Sequence, residues 1–180
     1  MLLGSEYRVL AAFVASPSRD KYAREVREAV GLSHERVVTY LRRLERLGVL
    51  TSLRRGRQVF FSINPASGLA VKCLGVLEFE RCRELREKRA GRFAVIDSLV
   101  AQSGGSFAIV ADAGQLDGGP IDVTVVSDAA AGRELSQDGV RVRVVSTAAF
   151  AGALRGVSPS RVVVAGEDAF WKLVLGSSVG

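Results

Sequence analysis

In the first part of the chain, apolar residues recur every three to four positions, the period of helices with one buried face. Tyr7, Leu10, Phe13 and Val14 mark a helix over residues 5–16, with Pro17 beyond its end. Tyr22, Val26 and Val30 mark a second over residues 21–30, with Asp20 as its cap and Gly31 placed to end it in a left-handed turn. Ser33 caps a third over residues 34–47, where Val37, Leu41 and Leu44 share one face and Gly48 closes the run. The pattern then shortens. Residues 49–53 and 58–63 read as strands around Arg54-Arg55-Gly56-Arg57, where Gly56 suits a tight hairpin turn, and Asn64-Pro65 stops the second strand.

Residues 66–89 read as a long helix. Its start carries an apolar stripe of Leu69, Cys73, Val76 and Leu77, and its end is charged, with Glu84 and Lys88 spaced as an i, i+4 pair. Gly75 and Gly91 are positions where a segment can kink or end. From Arg92 onward helices and strands alternate. Phe93, Ile96, Leu99 and Val100 predict a helix, and residues 107–110 a short apolar strand. A loop follows over 112–120. Strict alternation predicts strands at 121–126 and 140–145, with a helix between them at 128–138. Residues 147–155 and 167–175 read as helices around a last strand at 161–165. The expected fold class is α+β: a helical and hairpin module (residues 1–65), a linker helix (66–91), and a small α/β module with a mixed sheet (92–180).

Charge divides the chain in the same way. Residues 1–70 hold 12 Lys and Arg against 6 Asp and Glu, whereas residues 101–180 hold 6 against 8. The basic excess of the front points to a polyanion, with a merely solvated surface as the bland alternative. The third helix sharpens this. Opposite its apolar stripe lie Glu35, Arg36, Thr39, Arg42, Arg43 and Arg46, four arginines against one glutamate. A solvated helix usually balances its charges.

The two cysteines, Cys73 and Cys82, are too few for a disulfide scaffold or a multi-cysteine zinc site. Nine residues apart on one helix, they cannot bond to each other, so ordinary thiols are expected, with redox sensing as the alternative. The lone histidine, His34, argues against a histidine zinc site or a Ser-His-Asp triad. At the start of the third helix it is placed either to touch phosphate or simply to face solvent. No apolar run approaches the roughly 20 residues of a membrane-spanning helix. No basic stretch leads into an apolar run near the N-terminus. A cytoplasmic protein without membrane partner, cofactor or metal is the expectation.

Helix, helix–turn–helix, then a two-stranded hairpin with a basic tip resembles the winged helix-turn-helix domain of ArsR/MarR-type regulators. The likeness lies in Leu32-Ser33, Val37, Leu41, Leu44-Glu45 and Leu47-Gly48-Val49-Leu50, and spans residues 5–63. It implies binding of double-stranded DNA, with the third helix in the major groove. Ser33, Glu35, Arg36, Thr39 and Tyr40, in its N-terminal half, are then placed to meet base edges. Arg42, Arg43 and Arg46 meet phosphates, and Arg54, Arg55 and Arg57 on the wing reach flanking phosphate or the minor groove. The alternative is a winged helix used only for protein contacts. Such regulators grip two-fold operators as homodimers, and the 66–91 helix serves either as dimer contact or as connector.

The rear module resembles the minimal nucleotidyltransferase fold in residues 107–127, 142–150 and 162–171. That family places a Gly-Ser pair on a loop, Asp-x-Asp on the next strand and often a further carboxylate on the strand after, to hold magnesium. Here Asp122 matches the second aspartate, but Pro120 stands in place of the first. The loop reads Ala111-Asp112-Ala113-Gly114, and the later strand presents Arg141 and Arg143. One carboxylate cannot cage a metal pair, although Asp112, Asp117 and Asp122 converging by chance is an open alternative. The reading is a DNA-binding transcriptional regulator whose rear domain, with Asp122 as a vestige, serves dimerisation, ligand or partner binding. An active nucleotidyltransferase with a winged-helix targeting arm, and an adaptor without nucleic acid, are the alternatives.

Overall fold

The structure is a computed structural model and describes residues 4–17, 19–110, 112–154 and 160–177. The chain divides into two compact units, Met1–Leu77 with Leu175–Gly180, and Glu78–Val174.

In the first unit, α1 (Gly4–Val14), α2 (Ala23–Val30) and α3 (His34–Arg46) close around one core. Val9, Leu10, Phe13, Val26, Val37, Leu41 and Leu44 are fully buried there, whereas Tyr7, Val14, Tyr22 and Val30, expected on the inner faces, are only half-buried. Ser33 caps α3 as expected, its Oγ accepting from the Arg36 backbone N–H. The hairpin β2 (Leu50–Arg55) and β3 (Gln58–Ile63) is antiparallel, with Arg55 opposite Gln58 and a two-residue loop whose Gly56 has φ +61°.

The start of α2 departs from expectation. Lys21 and Tyr22 leave the helix to form β1, which pairs with β3 in a sheet of order β1-β3-β2. Asp20 therefore does not cap α2. The Glu25 carboxylate instead reaches back to the Tyr22 backbone N–H at 3.0 Å. Strand pairing with Phe60 and Phe61 outweighs the extra helical turn.

The long helix forms as α4 (Gly68–Lys88), and Gly75 lies inside it without breaking it. Cys73 is buried on it, but Leu69 and Val76 are 46% and 45% exposed, against the stripe expected for them. Its charged end is organised around Arg83, which pairs with Glu80 and Glu87. Cys82 is also buried on α4. Burial pushes both thiols above their ordinary range, which makes them poor nucleophiles.

The second unit is a sheet of order β6-β7-β5-β4-β8. Its elements are α5 (Ala90–Ser103), β4 (Phe107–Val110), a 3-10 turn (Ala113–Leu116), β5 (Ile121–Val126), β6 (Glu134–Gln137), β7 (Val140–Val145), α6 (Thr147–Ala153), β8 (Val162–Ala165) and α7 (Glu167–Gly176). The sheet is mixed, β5 running antiparallel to β4 and parallel to β7. The chain is thus α+β. Val123, Val125, Val142 and Val144 pack with Phe93, Ile96 and Leu99 of α5 in one core cluster. Phe107, Phe150 and Phe170 meet edge to face in a separate aromatic cluster.

The helix expected at 128–138 does not form. Residues 134–137 are β6, paired antiparallel to β7 across Asp138-Gly139, both at positive φ (47° and 78°). Asp-Gly is a strong hairpin signal, because both central positions of that turn need positive φ. The helix expected to reach residue 155 ends as α6 at Ala153, and residue 155 lies outside the described residues. Gly166 joins β8 to α7 with φ +70°, and a Cβ there would stand 2.2 Å from the Ser106 carbonyl oxygen. Also buried in this unit is an ion pair, Arg161 Nη2 to Glu78 Oε1 at 3.4 Å, with the guanidinium over the rings of Phe170 and Trp171. Burial holds the Glu78 carboxyl above its ordinary range.

Candidate nucleic-acid interface

The outer face of α3 is set by what its inner face buries. With Val37, Leu41 and Leu44 in the core, Ser33, His34, Glu35, Arg36, Thr39, Arg42 and Arg46 are exposed, and Tyr40 and Arg43 are half-buried. The wing adds Arg54, Arg55 and Arg57, all exposed. The first unit therefore carries the predicted residues on α3 and on the adjoining hairpin, which β2 joins directly to the end of that helix.

The arginines fall into two groups by their partners. Among the described residues, the side chains of Arg36, Arg46 and Arg57 meet no carboxylate. Arg54 only donates through Nε to the Gly56 carbonyl, at 3.2 Å. Arg42, Arg43 and Arg55 each have an acid. Arg42 Nη1 lies 2.9 Å from Glu45 Oε2, and its guanidinium sits over Phe61 at 5.4 Å. Arg43 Nε lies 2.9 Å from Glu6 Oε1, and Glu6 is fully buried. Arg55 Nη2 lies 2.7 Å from Asp20 Oδ2.

These pairs shape the interface. Glu45 accepts from both Ser52 of β2 and Arg42 of α3, and the two hydrogen bonds hold its carboxyl below the ordinary glutamate range. That three-residue link ties β2 of the wing to α3. Arg43 serves the fold before any ligand, because it balances a carboxylate inside the helical core. The sequence does not single out Glu6 or Glu45 as partners of these arginines, and it places Asp20 as a helix cap. Glu6 and Asp20 meet their arginines only through elements distant in sequence, whereas Glu45 meets Arg42 three residues away on α3. Thr39 Oγ1 donates to the Glu35 carbonyl at 2.8 Å, so its hydroxyl is held along the helix.

In the second unit the two arginines of β7 each stand beside an acid. Asp122 is exposed on β5, and Arg141 stands beside it on β7, with Nη1 3.9 Å from Oδ1. Arg143 lies 3.3 Å from Glu134. The three aspartates do not converge. Asp112 caps the 3-10 turn through the Gly114 N–H at 2.8 Å, and Asp117 pairs with Arg89. The backbone N–H of Asp122 donates to Gln115 Oε1 at 3.2 Å. Among the described residues there is no group of three His, Cys, Asp or Glu side chains placed to hold a metal ion. No helix among them is long and apolar enough to cross a membrane.

No family model matches the chain, and no curated protein is similar to it. Two solved structures resemble it in part. The transcriptional regulator PcaV from Streptomyces coelicolor, in complex with its natural ligand, is 27% identical over 56% of this chain and 73% of its own, with a TM-score of 0.38. MepR, a transcription regulator of the Staphylococcus aureus multidrug efflux pump MepA, is 15% identical over 54% of this chain and 80% of its own, also with a TM-score of 0.38.

Proposed function

We propose that the chain is a homodimeric transcriptional regulator that binds double-stranded DNA through α3 and the wing. The observation that carries the reading is the unmatched charge of Arg36, Arg46 and Arg57 on a Ser33-capped helix and its adjoining hairpin. Unpaired guanidinium groups on a helix that fits the major groove suit guanine edges and phosphates. Ser33, Glu35, Arg36, Thr39 and Tyr40 face base edges. Arg42, Arg43 and Arg46 line the phosphate side, with Arg43 already sharing its charge with Glu6. Arg54, Arg55 and Arg57 engage flanking DNA.

The second unit is a degenerate nucleotidyltransferase-like module without catalytic activity, with Asp122 its vestigial residue. Its parallel neighbour strand sets Arg141 beside that carboxylate. The module serves dimerisation, ligand or partner binding. The exposed Leu69, Val76 and Phe79 on α4 supply an apolar contribution to self-association.

Titration of a fluorescent random-sequence duplex at low and moderate salt, with sedimentation of the same protein, tests the reading. Binding by a dimer that weakens steeply with salt supports it, since each neutralised phosphate adds about 0.9 to the log–log slope. No binding at low salt overturns it and favours the protein adaptor.

A further inference from the structure

We propose that Asp20 occupies the place of a DNA phosphate on the wing, holding Arg55 back until DNA displaces it. This rests on the DNA-binding reading above.

Arg55 ends β2 opposite Gln58, next to the two-residue tip. Its guanidinium does not extend past that tip. It lies 5.2 Å from the centroid of Phe60, a residue paired with Leu53, two positions back along the hairpin. There Nη2 donates to Asp20 Oδ2 at 2.7 Å. The head group is thus folded inward, stacked on a ring and bonded to a carboxylate.

Asp20 arrives from 35 residues away, on the connector leading into β1. The pairing of Lys21 with Phe61 and Tyr22 with Phe60 brings that connector alongside β3. The nearby acid Glu25 is engaged elsewhere, by Arg19 and by the Tyr22 N–H. Asp20 is therefore the one acid paired with a wing arginine among the described residues. Its neighbours at the tip, Arg54 and Arg57, have none.

A carboxylate and a phosphate offer a guanidinium the same kind of charged oxygen acceptor. Both side chains of this pair are accessible, 56% exposed for Arg55 and 31% for Asp20, so a phosphate can approach without unfolding anything. Exchange of one acceptor for the other lets the wing extend. The pair sets the wing's affinity below what its arginine content alone would give, and couples it to the α1–β1 connector.

The test is a double-mutant cycle on the full chain, read by anisotropy of a labelled random-sequence duplex between about 50 and 200 mM salt. D20N is expected to bind about two- to fivefold tighter than wild type, the scale of a partly exposed ion pair. R55A is expected to bind more weakly, and D20N/R55A to match R55A. D20S serves as a second release variant, and unchanged thermal midpoints show that the fold is kept. Weaker binding by D20N would mean that Asp20 aims Arg55 at DNA and would overturn the latch. An equal gain from D20N in the R55A background would reduce the effect to long-range charge and overturn it too. Binding by all proteins without coupling removes the latch alone, whereas no binding by any of them removes the DNA reading with it.

Discussion

The α3–wing face of the first unit and the β5–β7 face of the second both expose arginines, but they differ in what stands opposite the charge. On the second, Arg141 faces Asp122 and Arg143 faces Glu134. On the first, Arg42, Arg43 and Arg55 have acids too, but Arg36, Arg46 and Arg57 face nothing acidic among the described residues. Exposed pairs are close to neutral at a distance and contribute little to stability. Unmatched arginines project a field that a polyanion can meet. Counting basic residues would rank the two faces by number, whereas their partners separate them by kind.

Charge reversal is the strongest way to break this contrast. R36E/R46E is expected to lower affinity for a random duplex at least about 100-fold at roughly 0.1 M salt. R141E/R143E should leave it within about twofold. Equal losses in the same titration would erase the distinction. Next comes the arginine that looks like interface but serves the core. R43A is expected to lower stability by about 1–3 kcal/mol in urea unfolding, below the full effect of breaking a buried pair because Arg43 itself is 42% exposed. E6Q in that background should recover part of the loss. Within the unmatched group, R36A should cost about 1–3 kcal/mol and relax preference at one base position in a selection experiment. R57A should weaken all sequences alike and lower the salt slope by about 0.9.

The smallest effect concerns the link between α3 and wing. Glu45 is held below the ordinary glutamate value of 4.5, first by Ser52 and then by Arg42. Its contribution to stability is therefore complete above that value and is lost as pH falls through the lowered folded value. S52A should shrink the difference in unfolding free energy between about pH 6 and about pH 3, measured by denaturant titration at each pH.

How legible these features were depends on whether their cause is local. Ser33, Val37, Leu41 and Leu44 specify a capped amphipathic helix within a dozen residues, and the structure has that helix. The outward arc of α3 was readable for the same reason. β6 lies where the sequence predicts a helix, although Asp138-Gly139 is a hairpin signal, because its strand character comes from pairing with β7 across that turn. Asp20 was assigned to α2 because a cap is a local idea, whereas its actual partner lies on the wing. Arg43 shows the same limit. On the helical wheel it belongs to the outer arc, and only the packing of α1 against α3 brings Glu6 beneath it.

The pairing of Arg161 with Glu78 has a bearing on how the chain is made. The two residues are 83 positions apart, and both are buried in the finished unit. At roughly 5 to 20 residues per second, Glu78 leaves the ribosome roughly 4 to 17 seconds before the guanidinium that will neutralise it. Until then only Arg81, three positions on along α4, acts on that carboxylate, and sealing it into an apolar interior is costly. The buried partner of Glu78 thus arrives with the segment that carries β8 and α7, the last part of the second unit to be made.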